Sequence, residues 1–196
     1  MDVRVAQPDD LDRVVEVLAG AFREDPLWGW AFPGGVGLDR WWRFLVESAM
    51  RYPWTWVAGD FEAVSVWIPP RGVELTPEEE AELEPLLVDL LGPRAPDVMT
   101  LLDRFEECHP KDRPHYYLSL LGTHPDHRGR GIGMALLREN LALIDSEGAH
   151  AYLESSNSAN VPRYERAGFR PIGRFDRPDG NFTATTMWRD ARAGTR

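Results

Sequence analysis

The sequence predicts an α/β fold, with a mixed central sheet, helices on both faces and a helical insertion in the middle. Three observations carry that expectation. The second half alternates strand, helix, strand, helix, the order that crossover connections give a mixed sheet. A glycine-rich run ends one of these strands and opens the next helix. Between the two β-rich halves lies a pair of helices with its own start and stop signals. At 196 residues the chain is long enough to bury a substantial core. The expected organisation is one domain over residues 1–190, with the insertion near 76–108 and a frayed tail at 191–196.

Residues 3–6, "VRVA", read as a short strand, and a helix follows from near Pro8, where "PDD" suits a helix N-terminus. Leu11, Val14, Val15, Leu18 and Phe22 recur at helical spacing. "EDPLWGWAFPGGVG" then breaks regular structure, and "LDRWWRFLVESAM" resumes it as a second helix. "WTWVAG" and "EAVSVWIP" are two strands turning at Gly59 and Asp60. Thr76, Pro77 and Glu79 make a capping box with proline at the first helical position, and Gly92-Pro93 stops that helix. Pro85 inside it is a candidate kink. A further helix runs from about Pro96 to Cys108 on Val98, Leu101, Leu102 and Phe105. The second half reads as strand "HYYLSLLGT", helix "GIGMALLRENLALIDSEG", strand "HAYLESS" and helix "NVPRYERAGF". Met134, Leu137, Leu141 and Ile144 give the first of these helices its apolar stripe. Two closing strands, near 171–175 and 182–188, return through a turn at "DG".

Composition excludes several classes. A formal charge of −10 lacks the basic face of a nucleic-acid binder. Cys108 is the only cysteine, which rules out an intrachain disulfide framework or a thiolate metal cluster. His115, His124 and His127 lack acidic or cysteine partners at ligand spacing, so no metal site is expected. There is no apolar run of membrane-spanning length, and "MDVRVAQPDD" has neither the basic start nor the apolar centre of a signal peptide. Those features lead to the expectation of a cytoplasmic protein without membrane or nucleic-acid partners, as monomer or homodimer.

The run "GTHPDHRGRGIGMALL", residues 122–137, carries the chemistry. Each glycine costs backbone entropy on folding, and one would suffice for a tight turn. Alternating glycines at a strand-to-helix junction leave bare amides at a helix N-terminus, where the dipole also favours an anion. Arg128 and Arg130 add charge there. The pattern is neither a Walker loop, which needs Gly-Lys-Ser/Thr, nor the G-x-G-x-x-G of dinucleotide sites.

What stands there, Arg128-x-x-Gly131-x-Gly133, resembles the pyrophosphate motif of the GNAT superfamily of N-acyltransferases. The resemblance extends to "VRVAQPDDLDRVVEVLAGAF", "LLGTHPDHRGRGIG" and "VPRYERAGF". Within that superfamily, "VWIPP", "HPKDRPHYYLSLLGTHPDHRGRGIG" and "AYLESSNSANVPRYERAGF" resemble the puromycin N-acetyltransferase group and its actinobacterial relatives. The resemblance implies a GNAT fold with two splayed parallel strands, here "YLSLLGT" and "AYLESS", and acetyl-CoA as cosubstrate. Backbone groups of Leu121, Gly122 and Thr123 would meet the pantetheine arm and thioester carbonyl, and Arg128, Gly129, Arg130, Gly131, Ile132, Gly133 and Met134 the pyrophosphate. Asn157 and Asn160 stand as further cofactor contacts, or as helix caps.

Two residues are implied as catalytic. Tyr164 occupies the family's general-acid position, and its alternative is packing on Phe169. Glu154, at the cofactor end of its strand, is the candidate base for an amine that arrives as ammonium, its alternative being an exposed or salt-bridged carboxylate. Seven of eight tryptophans fall between Trp28 and Trp67, and the acceptor wall of this fold comes from the first two helices and their loop. Glu24 and Asp25 with Trp28 and Trp30 are therefore candidate substrate-binding residues. The implied function is acetyl transfer from acetyl-CoA directly to a primary amine of a small molecule, antibiotic-like or xenobiotic. A protein N-terminal or lysine acetyltransferase, and a non-catalytic CoA-binding sensor, are the alternatives.

Overall fold

Seven strands, β1 (Val3–Val5), β2 (Thr55–Ala58), β3 (Ala63–Ile68), β4 (His115–Thr123), β5 (His150–Ser155), β6 (Arg170–Asp176) and β7 (Thr183–Arg189), form one sheet in the order β1-β2-β3-β4-β5-β7-β6. The computed structural model describes residues 1–192. Every neighbouring pair is antiparallel except β4 and β5. Around the sheet stand helices α1 (Leu11–Phe22), α2 (Trp28–Ala31), α3 (Leu38–Ala49), α4 (Pro77–Leu91), α5 (Ala95–Cys108), α6 (Ile132–Ser146) and α7 (Val161–Arg166).

Alternation along β3 shows how the two layers are built. Val64, Val66 and Ile68 join the core beneath α1 and α3, whereas Ala63 and Trp67 join apolar clusters with α6. The strand is buried on both faces, as a central strand covered by helices must be. Trp28, Trp41, Trp42 and Phe32 make an aromatic nucleus, and Trp28 stacks on Phe105 of α5 with centroids 5.9 Å apart. The inserted pair α4 and α5 is thus fastened to the same core.

Several sequence expectations shift. The segment after α1 is not irregular throughout: Asp25 Oδ1 accepts from the amides of Leu27 and Trp28 at 2.9 and 3.1 Å, and that cap starts the short helix α2. Pro85 does not divide α4, because it sits on the exposed side where the carbonyl it frees can face water. The β2–β3 connection needs four residues, with Gly59 and Phe61 both at positive φ. The stretch "NVPRYERAGF" supplies only the six residues of α7, entered through a 3₁₀ turn at Ser158–Asn160. Ala191, expected to fray, donates its amide to His150 Nδ1 at 2.9 Å, and the rest of that expected tail, 193–196, lies outside the described residues.

One irregularity positions the site. Val66 pairs with Leu120 and Trp67 with Leu118, so Ser119 is an extra residue, a bulge in β4. A slip of one residue exchanges the faces of a strand. Leu118 accordingly packs with the α6 cluster, while Leu120 packs with the α1 and α3 cluster. Tyr117 and Ser119 are left half-buried, lining a cavity on the α5 side of the sheet.

Helix α6 is locked to the sheet by polar contacts as well as by its apolar stripe. Asn140, fully buried, accepts from Ser65 Oγ at 2.7 Å and from Trp67 Nε1 at 3.1 Å. Arg189, 3% exposed, grips both oxygens of Asp145 near the end of α6 at 2.5 and 2.7 Å. Replacing Asn140 by leucine adds apolar surface but strands two buried donors, each costing about 1–3 kcal/mol. Asn140→Leu is therefore predicted to destabilise the fold by roughly 2–4 kcal/mol. Urea unfolding should show a lower midpoint with an unchanged slope.

Candidate active site

The parallel strands β4 and β5 pair only from His115–His150 to Leu118–Leu153. Beyond that point β4 stays with β3 and β5 stays with β7, so the two strands part. Parting leaves edges of backbone that no neighbouring strand satisfies. A cavity of about 1550 Å³ runs through the opening, from the N-terminus of α6 to the inner faces of α3, α4 and α5.

At one end stands the glycine run. Gly129 and Gly131 hold φ of +78° and +75°, a conformation that side chains other than Asn and Asp rarely take. A Cβ on either would meet nothing within 4 Å, so the bare backbone faces open space. No side chain caps α6, and its first helical bond is Ala135 N–H to Gly131 O. The amides of Ile132, Gly133 and Met134 are thus left for a ligand. At Gly133, by contrast, a Cβ would lie 2.5 Å from Thr123 Oγ1, and that glycine is required for close approach of α6 to β4.

The two arginines are less free than the sequence suggested. Arg128 lines the cavity but spends Nη2 on the carbonyls of Gly20 and Ala21 at the end of α1, at 3.0 and 2.9 Å, with Glu24 3.9 Å from Nη1. Arg130 lies outside the cavity lining, drawn to Glu62 at 3.4 Å and His127 Nδ1 at 2.7 Å. Gly122 is also outside the lining, its α-carbon turned to Leu18 and Ala21 of α1, while Leu121 and Thr123 on either side line the cavity.

Tyr164 on α7 packs edge-on against Phe169, 6.2 Å between centroids, and lines the cavity. The packing on Phe169 that the sequence offered as its alternative is present, and the residue also lines the cavity. Burial, with the nearby charge of Asp25, pushes its phenol up to about 12. Asp25 also accepts from Ser156 Oγ at 2.8 Å, which ties the loop after α1 to the end of β5. Asp25 is thus a cap and a brace as well as a lining residue. Asn157 Oδ1 caps the 3₁₀ turn by accepting from Ala159 N–H at 3.0 Å, whereas Asn160 Oδ1 accepts from the Arg163 side chain at 2.7 Å and caps no amide; both line the cavity.

Glu154 projects from β5 at the cavity's other end. Its side chain is 2% exposed, and Oε1 has no hydrogen-bond partner in the described residues. Burial, with the charge of Glu74 added, outweighs the phenols of Tyr152 and Tyr117 and raises its carboxyl to about 8. The nearest basic group is His109 Nδ1, 3.9 Å from Oε1. Burial and the neighbouring His115 lower His109 to about 4, so at neutral pH it carries no charge and the contact is not an ion pair.

Hydrogen-bond partners assign the protons of these two histidines. His115 Nδ1 lies 2.8 Å from the carbonyl oxygen of Arg113, which can only accept, so Nδ1 bears the hydrogen. His115 Nε2 then accepts from His109 Nε2–H at 3.1 Å. His109 Nδ1 is left as a lone pair facing Glu154, an arrangement that suits a protonated Glu154. Sequence reading passed over His109 and Glu74. His109 follows α5, nineteen positions before Arg128, and Glu74 lies in the connection before α4, so neither has a local pattern.

The tryptophan wall is only partly as expected. Trp28 and Glu24 line the cavity, but Trp28 is also core, 7% exposed. Trp30 does not line it, because its ring lies beneath the guanidinium groups of Arg94 and Arg177, 5.3 and 5.0 Å from the centroid. Among the described residues no three His, Cys, Asp or Glu side chains are grouped to share a metal ion, and no helix is long and apolar enough to cross a membrane.

Comparison with known proteins follows the same geometry. Residues 99–169 match the acetyltransferase (GNAT) family model. The chain is 27% identical to the Corynebacterium glutamicum "histone acetyltransferase HPA2 and related acetyltransferase", with a TM-score of 0.69 over 99% of this chain and 98% of that one. It shares the fold of an agmatine N-acetyltransferase (19% identity, TM-score 0.68, 95% and 97% of the two chains). The Drosophila melanogaster polyamine N-acetyltransferase has it too (18%, 0.67, 96% and 99%). A curated relative, mycothiol acetyltransferase of Propionibacterium freudenreichii, is 40% identical over 63 residues, 31% of this chain and 20% of that protein. The chain's match thus spans about a fifth of that relative's length. The fold of the whole sheet, and the family pattern carried by residues 99–169, are those of a GNAT acetyltransferase.

Proposed function

We propose that this protein is an acetyl-CoA-dependent N-acetyltransferase that places an acetyl group directly on a primary amine of a small molecule. The observation that carries the reading is the parting of β4 and β5, which joins bare helix-N-terminal amides to a buried, unpaired carboxylate in one cavity. Walls from α4 and α5, including Leu83, Met99, Leu102 and Phe105, enclose the acceptor end, which suits a small acceptor better than a protein tail. The finer resemblance to the puromycin N-acetyltransferase group is part of the proposal, as is a reducing cytoplasm for a chain with one cysteine.

Open glycine backbone and uncapped amides fit a pyrophosphate, and backbone at Leu121 and Thr123, which line the cavity, fits an extended amide-bearing arm. Acetyl-CoA would supply the activated acetyl thioester. Glu154 then takes the proton of the incoming ammonium: a carboxyl near 8 is matched to that task far better than one at the usual value. His109 Nδ1 faces the resulting carboxylic acid and steadies it. Tyr164, held near 12, keeps its proton throughout the working pH range. A phenol that weak is a hydrogen-bond donor to the departing sulfur before it is a full proton donor, since a thiol's own value is about 8.5.

Gly131→Asp fills the cradle with a carboxylate at a position whose φ aspartate tolerates. Calorimetry should show CoA affinity falling by at least about tenfold, with a native circular dichroism spectrum; unchanged affinity would move the phosphate site elsewhere. Tyr164→Phe should lower kcat by about a hundredfold with a smaller change in CoA affinity, and the reverse split would make Tyr164 a positioning residue.

Glu154 makes a signed prediction about pH. The group must be ionised to act, so with an alkylamine acceptor that still arrives as ammonium at that pH, kcat/KM should rise through about pH 8. That limb should vanish in Glu154→Gln. Stability carries the same signature. Below the unfolded value near 4.5 both states hold the proton; above it only the folded state does, so wild-type stability falls with rising pH until about 8. Glu154→Gln escapes that loss, and urea unfolding should show it gaining a few kcal/mol on wild type between pH 5 and pH 8. Parallel pH–stability curves would remove Glu154 from the role of base.

A further inference from the structure

Glu74 stands in the connection between β3 and α4 and lines the same cavity as Glu154. Its Oε1 accepts from the hydroxyl of Ser119, the bulge residue of β4, so the irregularity that opens the site also holds this carboxylate in it. No lysine or arginine among the described residues comes within ion-pair distance of either side chain. Arg51, the nearest to Glu74, is engaged with Ser48 O at 2.6 Å, with Val73 O and with Glu79 at 3.7 Å. Glu154 is surrounded by the neutral His109 and the phenols of Tyr117 and Tyr152, and its Oε1 is buried and unpartnered in the cavity wall. Two buried carboxyl groups thus face one enclosed space with no lysine or arginine in contact with either, Arg51 acting on Glu74 only from a distance. Buried charge left unpaired in that way is costly, and a ligand that neutralises it recovers the cost.

The two carboxylates behave differently during acetyl transfer. Glu154 loses its charge when it takes the amine's proton. Glu74 takes no part in that transfer: burial raises its carboxyl, with Ser119 and the charge of Arg51 acting the other way, and a cation placed beside it would hold it ionised. A simple monoamine satisfies the first and leaves the second uncompensated. We infer that the acceptor carries a second cationic group, such as another ammonium or a guanidinium, that Glu74 holds while the first amine is acetylated beside Glu154. Glu80, Asp103 and Glu106 on the α4 and α5 wall extend the negative field to the mouth, where Lys111 pairs with Glu106 at 2.8 Å and Arg71 and Arg113 are further cations of the lining. This inference rests on the acetyltransferase reading and adds the acceptor's charge pattern to it.

The test compares α,ω-diamines of three to six methylenes with the monoamine of each length, following thiol release at saturating acetyl-CoA. Wild type should favour the best diamine by at least about tenfold in kcat/KM, the worth of one charge-assisted contact. Glu74→Gln, nearly isosteric and still able to accept from Ser119, should shrink that ratio to within about threefold. Ser119→Ala, which only frees Glu74, should narrow it less. A wild-type ratio near the statistical factor of about two, or a ratio that survives Glu74→Gln, would overturn the inference. A thermal-shift measurement with the same amines separates the two failures. If no amine is acetylated yet diamines raise the melting midpoint of wild type and not of Glu74→Gln, the diamine site stands and the acetyltransferase reading falls. If diamines neither react nor stabilise, both fall.

Discussion

The site depends on one register irregularity. With Ser119 looped out of the β3–β4 ladder, residues before it and after it present opposite parities to the two faces of the sheet. Leu120 can then serve the α1 and α3 core while Leu118 serves α6, and both layers remain packed. The same extra residue marks the end of β4's pairing with β5, which stops at Leu118. Packing on β3 and β7 is what holds the parted strands in place: each retains its outer partner through the full length of the opening. A sheet with both strands free would close or unravel; here the backbone is unsatisfied on one side only.

That geometry sets the electrostatics. A carboxylate at the end of β5 cannot reach bulk water past α5, and the surrounding groups are phenols and neutral imidazoles rather than cations. Desolvation therefore dominates Glu154 and lifts it. Tyr164, on the other side of the opening, is lifted by burial and by Asp25. One group is poised to exchange a proton near neutrality and the other is held protonated. Environments that set two titratable groups apart in this way are the usual mark of divided acid–base roles. The arrangement costs stability, since the folded state holds a proton on Glu154 that the unfolded chain gives up.

Much of this was legible in the chain itself. Capping residues located α4, the alternation of apolar residues located the strands, and alternating glycines located the uncapped start of α6. Local pattern suffices there because local backbone chemistry is the cause. It fails where the cause is distant. The short helix α2 forms because Asp25 caps it, and Trp30 is drawn out of the cavity by arginines 64 and 147 positions away in the chain. The bulge is invisible in "HYYLSLLGT", where nothing but pairing with β3 decides which residue is extra. Glu74 and His109 belong to the site only because the turn before α4 and the end of α5 converge on β4 and β5.

Arg128 shows how the two ends of the opening are coupled. Its guanidinium closes the C-terminus of α1 through Gly20 and Ala21 and lies near Glu24, so the glycine loop is fastened to the helix that leads into the acceptor wall. From there Asp25 caps α2 and binds Ser156, two residues beyond Glu154. Trp28, started by that cap, stacks on Phe105 of α5, the helix that ends beside His109. A continuous run of hydrogen bonds and packed rings therefore links the amides at α6 to the buried carboxylate on β5. Rigid connection of this kind fixes the separation between the place where an anion is held and the place where a proton is taken up. That separation is the length a two-ended ligand must match, and the chain sets it through α1, α2 and α5 rather than through either site residue alone.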